Sequence, residues 1–119
     1  MRNLALAIFL SILTGCFFDS GLSPAELQQL CSDEADVCLD TGLAGGVDQW
    51  DWIMVNMDCE AEYRGCVQGR APIYPTCDEI FTVCEDDVYN NCYCSDAWCL
   101  NCHIRLFECN HGYEDCQLQ

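Results

Sequence analysis

The sequence predicts an all-α protein: two disulfide-stapled antiparallel helical hairpins, about four helices in all. Three observations predict it. Cysteine makes up 13 of 119 residues, about 11%, a density typical of disulfide scaffolds in oxidising compartments. The cysteines recur at a helical interval: Cys31 to Cys38, Cys59 to Cys66, Cys77 to Cys84 and Cys102 to Cys109 each span seven, and Cys92 and Cys116 extend the last two ladders. Helix-start signatures and glycine or proline breaks fall between these pairs.

The interval carries the argument. On an α-helix, residues seven apart lie about 20° from alignment and roughly 10 Å along the axis. The fourth residue after the first cysteine of each pair is Ala35, Tyr63, Phe81 or Leu106, which places an apolar side chain on the sulfur-bearing face. Cysteines that far apart on one helix cannot bond each other, because a disulfide needs Cα atoms within about 7 Å. Each stripe of sulfur therefore calls for a partner helix.

The first helix starts at Ser23-Pro24-Ala25-Glu26, with Ser as cap, Pro in the first turn and Glu three after the cap. It carries Leu27, Leu30, Cys31 and Cys38 and ends at the glycines from Gly42 to Gly46. Asp48 is the next cap, and a helix follows from Gln49 to Gln68, with Gly65 weakening its last turn. Trp50, Trp52, Ile53, Met54, Val55 and Met57 form its most apolar window. The window reads as core, and its Trp and Met side chains would also suit a cationic or apolar protein partner. Pro72 and Pro75 break the chain. Thr76-Cys77-Asp78-Glu79 repeats the capping box, opening a helix that runs toward Tyr89 and turns at Asn90-Asn91. Ser95 is expected to cap the last helix, which carries Trp98, Cys102, Leu106 and Cys109 and weakens near Gly112.

Twelve cysteines allow thousands of pairings. Antiparallel registry selects one nested set: Cys31–Cys66 and Cys38–Cys59 in the first hairpin, then Cys77–Cys116, Cys84–Cys109 and Cys92–Cys102 in the second, with Cys94–Cys99 closing its tip. Twin cysteine pairs on helices are similar to the coiled-helix hairpins of mitochondrial import proteins. Those use a longer spacing, and no function follows from the likeness.

The formal net charge is −16, and all four basic residues are Arg. A polyphosphate partner needs a basic face, so nucleic acid is excluded as a partner. The acids keep a cysteine-rich chain soluble and favour cationic partners. The run Glu85-Asp86-Asp87 lacks the alternating ligands of a calcium loop.

Residues 1–15 read as a targeting segment. Arg2 precedes the apolar run from Leu4 to Leu13, which is too short to span a bilayer. Leu13-Thr14-Gly15-Cys16 resembles the lipobox that closes the signal peptide of bacterial lipoproteins. The resemblance implies cleavage before Cys16 and acyl chains, palmitate among them, on that cysteine. It implies residues 16–22 as a lipidated tether and residues 23–119 as the cysteine-rich domain. Phe17, where an Asp would favour inner-membrane retention in this family, points to the outer membrane. Setting Cys16 aside leaves an even number of cysteines, which can pair fully.

Cys99-Leu100-Asn101-Cys102-His103 matches the haem attachment site of c-type cytochromes, where two thiols bond the haem vinyls and the His binds iron. Against haem, the motif lies near the C-terminal end and competes with the disulfide ladder for Cys102. A zinc site from Cys92, Cys94, Cys99, Cys102, His103 and His111, or a redox dithiol at Cys99 and Cys102, are further chemistries of the same residues. His111 with Glu114 or Asp115 is the one acid–base pair that can be drawn, and no nucleophile stands beside it in sequence. The expectation is a non-catalytic, lipid-anchored envelope protein with a structural or binding role, no cofactor and no metal. A monohaem electron carrier is the alternative.

Overall fold

The computed structural model describes residues 21–94 and 97–119. Among them are four helices and no strand: α1 (Pro24–Gly42), α2 (Gln49–Gln68), α3 (Cys77–Asn91) and α4 (Leu100–Gln117). They pair as two hairpins, α1 with α2 and α3 with α4.

Each early start is held by the cap the sequence provides. The Glu26 N–H donates to Ser23 Oγ at 3.2 Å, and the Ser23 hydroxyl donates to the Glu26 carboxylate at 3.0 Å. The Asp51 N–H donates to Asp48 Oδ1 at 2.8 Å ahead of α2. At α3 the capping box is complete: the Glu79 N–H reaches Thr76 Oγ1 and the Thr76 N–H reaches Glu79 Oε1, at 3.2 and 3.3 Å. Such caps satisfy N–H groups that have no partner inside the helix.

The end of α2 is a Schellman turn. The Arg70 N–H bonds the Gly65 carbonyl at 2.9 Å and the Gly69 N–H bonds the Cys66 carbonyl at 3.2 Å, with Gly69 left-handed at φ 65°. Gly65 does not weaken this turn. A Cβ there would lie 2.8 Å from the Arg70 carbonyl oxygen, so its bareness lets the chain fold back.

The chain clusters into two compact units: the part up to Ala44 with Val55–Tyr74, and Gly45–Met54 with Pro75–Gln119. The first six residues of α2 thus belong to the second unit and the rest to the first.

In the first unit the Cys31–Cys66 bridge is buried, with Leu27 and Tyr63 packed on it. Cys38–Cys59 is the second bridge. Gly42 is buried because a Cβ there would come within 2.5 Å of Val55 Cγ1. Glu62 is buried as well, and accepts the Tyr74 hydroxyl at 2.8 Å.

In the second unit Ile80, Cys84 and Val88 of α3 are buried with Cys109 of α4 and with Trp50 and Ile53. The Phe81 and Tyr113 rings meet at 4.7 Å. Four bridges staple this unit: Cys77–Cys116, Cys84–Cys109, Cys92–Cys102 and Cys94–Cys99. A bridge of this kind contributes about 2–4 kcal/mol by restricting the unfolded chain, and nested bridges contribute less than their sum.

Two helix boundaries depart from expectation. α3 continues to Asn91, where the Asn91 side-chain amide donates to Asp87 Oδ1 at 2.9 Å and the Cys92 N–H still reaches the Val88 carbonyl. α4 begins at Leu100, after Trp98, and not behind the expected cap at Ser95. Ser95 and Asp96 themselves lie outside the described residues. The cause is Cys99, which is left-handed at φ 51°; L-residues in that conformation do not continue a right-handed helix. Nor does α4 weaken at Gly112. A methyl at Gly112 would fall inside the Trp50 indole, so this glycine is the seat of the second unit's largest buried ring.

Candidate functional site

The cysteine-rich tip of the second hairpin holds the one sharp sequence motif. Cys99 and Cys102 are not bonded to each other. Cys99 joins Cys94 with Cα atoms 4.6 Å apart, and Cys102 joins Cys92 at 5.7 Å. The same sulfur cannot be both in a disulfide and in a thioether, so these bridges and a haem on Cys99, Cys102 and His103 are mutually exclusive. A disulfide sulfur is likewise not the thiolate that zinc or a redox dithiol requires. Among the described residues, no group of three or more His, Cys, Asp or Glu side chains is placed to hold a metal ion. His103 is exposed at the first turn of α4.

His111 stacks on Phe107 with ring centroids 6.1 Å apart and lies 3.4 Å from Asp115 one turn on. Both partners of that ion pair are more than half exposed, so the pair sits in water where its contribution is small. It is a surface i,i+4 contact. The acidic run is similar in kind: Asp86 is exposed, while Asp87 is engaged by Gln49 and Asn91.

The second unit contains one groove that sequence reading did not find. Val47, Asp48, Gln49, Trp52, Asp87, Asn91, Arg105 and Glu108 line about 630 Å³. Gln49 is buried at its centre. Its side-chain amide donates to Asp87 Oδ2 at 2.7 Å and its backbone N–H to Glu108 Oε1 at 3.3 Å. Asp51 nearby has its carboxyl pushed above the usual range, first by burial and then by the charge of Asp48. The lining comes from α2, α3, α4 and the loop before α2, and each helix contributes only two residues, so no sequence pattern announces it. Its carboxylates already accept hydrogen bonds that fix Gln49 and the start of α2. The groove therefore works as an organising polar contact.

The apolar window of α2 is mostly interior. Trp50, Ile53 and Val55 are buried, Met54 and Met57 are half-buried, and Trp52 alone is exposed. Other large apolar side chains are exposed along the chain, and five of them, Tyr93, Trp98, Leu100, Ile104 and Phe107, fall within fifteen residues of sequence.

The remaining expected site residue, Cys16, lies outside the described residues, as do the segment before it and most of the tether. No helix among the described residues is long and apolar enough to cross a membrane. No family model, curated protein or solved structure matches the chain.

Proposed function

We propose that the chain is a lipid-anchored protein of the bacterial cell envelope, attached through Cys16, with a structural or binding role and no catalytic chemistry. One observation carries this reading. Every cysteine among the described residues is in a disulfide, which leaves Cys16 without a cysteine partner in the chain. A thirteenth cysteine at the end of a lipobox-like motif is the position an acyl anchor requires, and several acyl chains hold a protein stably where one does not. Phe17 favours the outer membrane. The acidic surface favours cationic partners. The competing reading, a monohaem carrier through Cys99, Cys102 and His103, rests on the motif alone and requires the tip bridges to rearrange.

The intact mass of protein extracted from membranes, unreduced and then reduced, separates the two. The lipoprotein reading expects a chain starting at Cys16, heavier by its acyl groups, that gains twelve hydrogens on reduction. Added haem mass with a gain of ten hydrogens would overturn it.

A further inference from the structure

The outer face of α4 is apolar over its first two turns, from Leu100 to Phe107, where a helix of a small acidic protein would ordinarily be charged. At 100° per residue, Leu100, Ile104 and Phe107 fall within roughly 60° of one another, and Cys102, Cys109 and Cys116 lie on the opposite side. The sulfur face is the inner one: Cys109 is fully buried and Cys102 and Cys116 bond α3 or the residue after it. Leu100, Ile104 and Phe107 are 59, 50 and 68% exposed. The buried disulfide Cys84–Cys109 with Ile80, Val88, Trp50 and Ile53 fills the interior of this unit, and these three side chains lie outside that core. Two aromatic side chains extend the exposed set at the same end. Trp98 lies just ahead of α4, and Tyr93 sits between Cys92 and Cys94, which are tied to Cys102 and Cys99; they are 83 and 84% exposed.

Charge narrows what covers this face. From Val88 to Phe107 the sequence has one acid, Asp96, and one Arg, Arg105, in a chain with 20 acids. A cationic partner would be drawn to the acids elsewhere. A second copy cleaved before Cys16 would bring three Arg against 20 acids. A lipid surface is repelled by the rest of the molecule but not by this end. Trp and Tyr are moreover the residues that favour the interface between headgroups and acyl chains. The anchor supplies proximity for the chain as a whole: seven peptide steps keep Ser23, at the start of the first unit, within about 25 Å of the bilayer.

We propose that the tip of the second hairpin, through Trp98, Leu100, Ile104 and Phe107, docks on the surface of the bilayer to which Cys16 tethers the chain. The proposal rests on the lipid-anchor reading. Docking sets the orientation of the second unit at the membrane, where the tether sets only distance.

The test is tryptophan emission of the lipidated protein in phosphatidylethanolamine–phosphatidylglycerol vesicles with brominated acyl chains. The expected result is quenching by bromine that disappears in Trp98→Phe and falls at least severalfold in Ile104→Asp and Phe107→Asp. Both Asp variants change exposed positions, and an unchanged disulfide peptide map with an unchanged near-ultraviolet circular dichroism spectrum verifies their folding. Acylated protein whose Trp98 emission ignores bromine overturns the docking while leaving the anchor intact. Purified protein that instead forms a dimer broken by Phe107→Asp overturns it in favour of a second copy. If the mass shows no acyl group, the anchor reading fails by itself, and quenching of the unacylated full chain added to the same vesicles still decides the docking.

Discussion

The two hairpins solve the same problem with different amounts of sulfur. The first has two bridges, closing over 35 and 21 residues of sequence separation, and supplements them with a buried Glu62–Tyr74 contact and close packing of Gly42 on Val55. The second has four bridges and extends to a tip with no buried side chain from Tyr89 to Phe107 among the described residues. The difference teaches that covalent staples release apolar residues from core duty. In the first hairpin Leu27 and Tyr63 pack on the buried bridge. In the second, Leu100, Ile104 and Phe107 face outward while cysteines hold the helices together.

The sharpest way to break this comparison is to remove the second unit's largest conventional core residue. Trp50→Ala is expected to cost about 3–5 kcal/mol, read as a shift of the urea midpoint of near-ultraviolet circular dichroism. A cost well below that range would mean that disulfides alone order the second unit. The next effect down separates its bridges by position. Replacing Cys84 and Cys109 together by Ala is expected to cost about 2–4 kcal/mol, because the pair is fully buried and closes a long loop. Replacing Cys94 and Cys99 together is expected to cost less than half as much in the same unfolding experiment, because that bridge closes only five residues inside others. Equal costs would show that the tip is as structural as the middle of the hairpin.

The smallest effect is electrostatic. The carboxyl of Asp51 holds its proton more tightly in the folded chain than at the ordinary value of 3.8, through burial and the Asp48 charge. A raised carboxyl makes the native state bind more protons than the unfolded one, so stability falls as pH rises. The penalty is absent below the ordinary carboxylate range and complete above the raised value. Asp51→Asn should therefore flatten the melting temperature between those limits and raise it slightly at neutral pH. A melting profile unchanged by the substitution would place Asp51 in water in both states.

Much of this architecture was legible in the sequence because helices announce themselves locally. Ser23, Asp48 and Thr76 are caps whose partners lie three residues away, and the seven-residue cysteine step marks both hairpins. What was not legible depends on contacts between distant residues or on one dihedral angle. Cys99 looks like any residue in a helical pattern, yet its left-handed backbone delays α4 past Trp98. Gly112 and Gly65 read as helix breakers, and each is instead a point of close approach, to Trp50 and to the Arg70 carbonyl. The groove around Gln49 collects residues from four segments. Of the candidate site, the motif at Cys99 to His103 is visible in sequence, whereas the outward stripe of Leu100, Ile104 and Phe107 emerges only once the bridges fix which face of α4 turns inward.

The six bridges also define a covalent map in which none links one hairpin to the other. Two lie wholly before Gly69 and four wholly after Thr76. A protease that cuts inside either set leaves that set linked. One cut in the connector, where Arg70 is exposed, leaves two pieces that no reductant is needed to separate. They would remain together only through noncovalent packing such as Trp50 on Gly112. On a lipid anchor, a cut there leaves the second hairpin at the membrane only through that packing and its own docked tip.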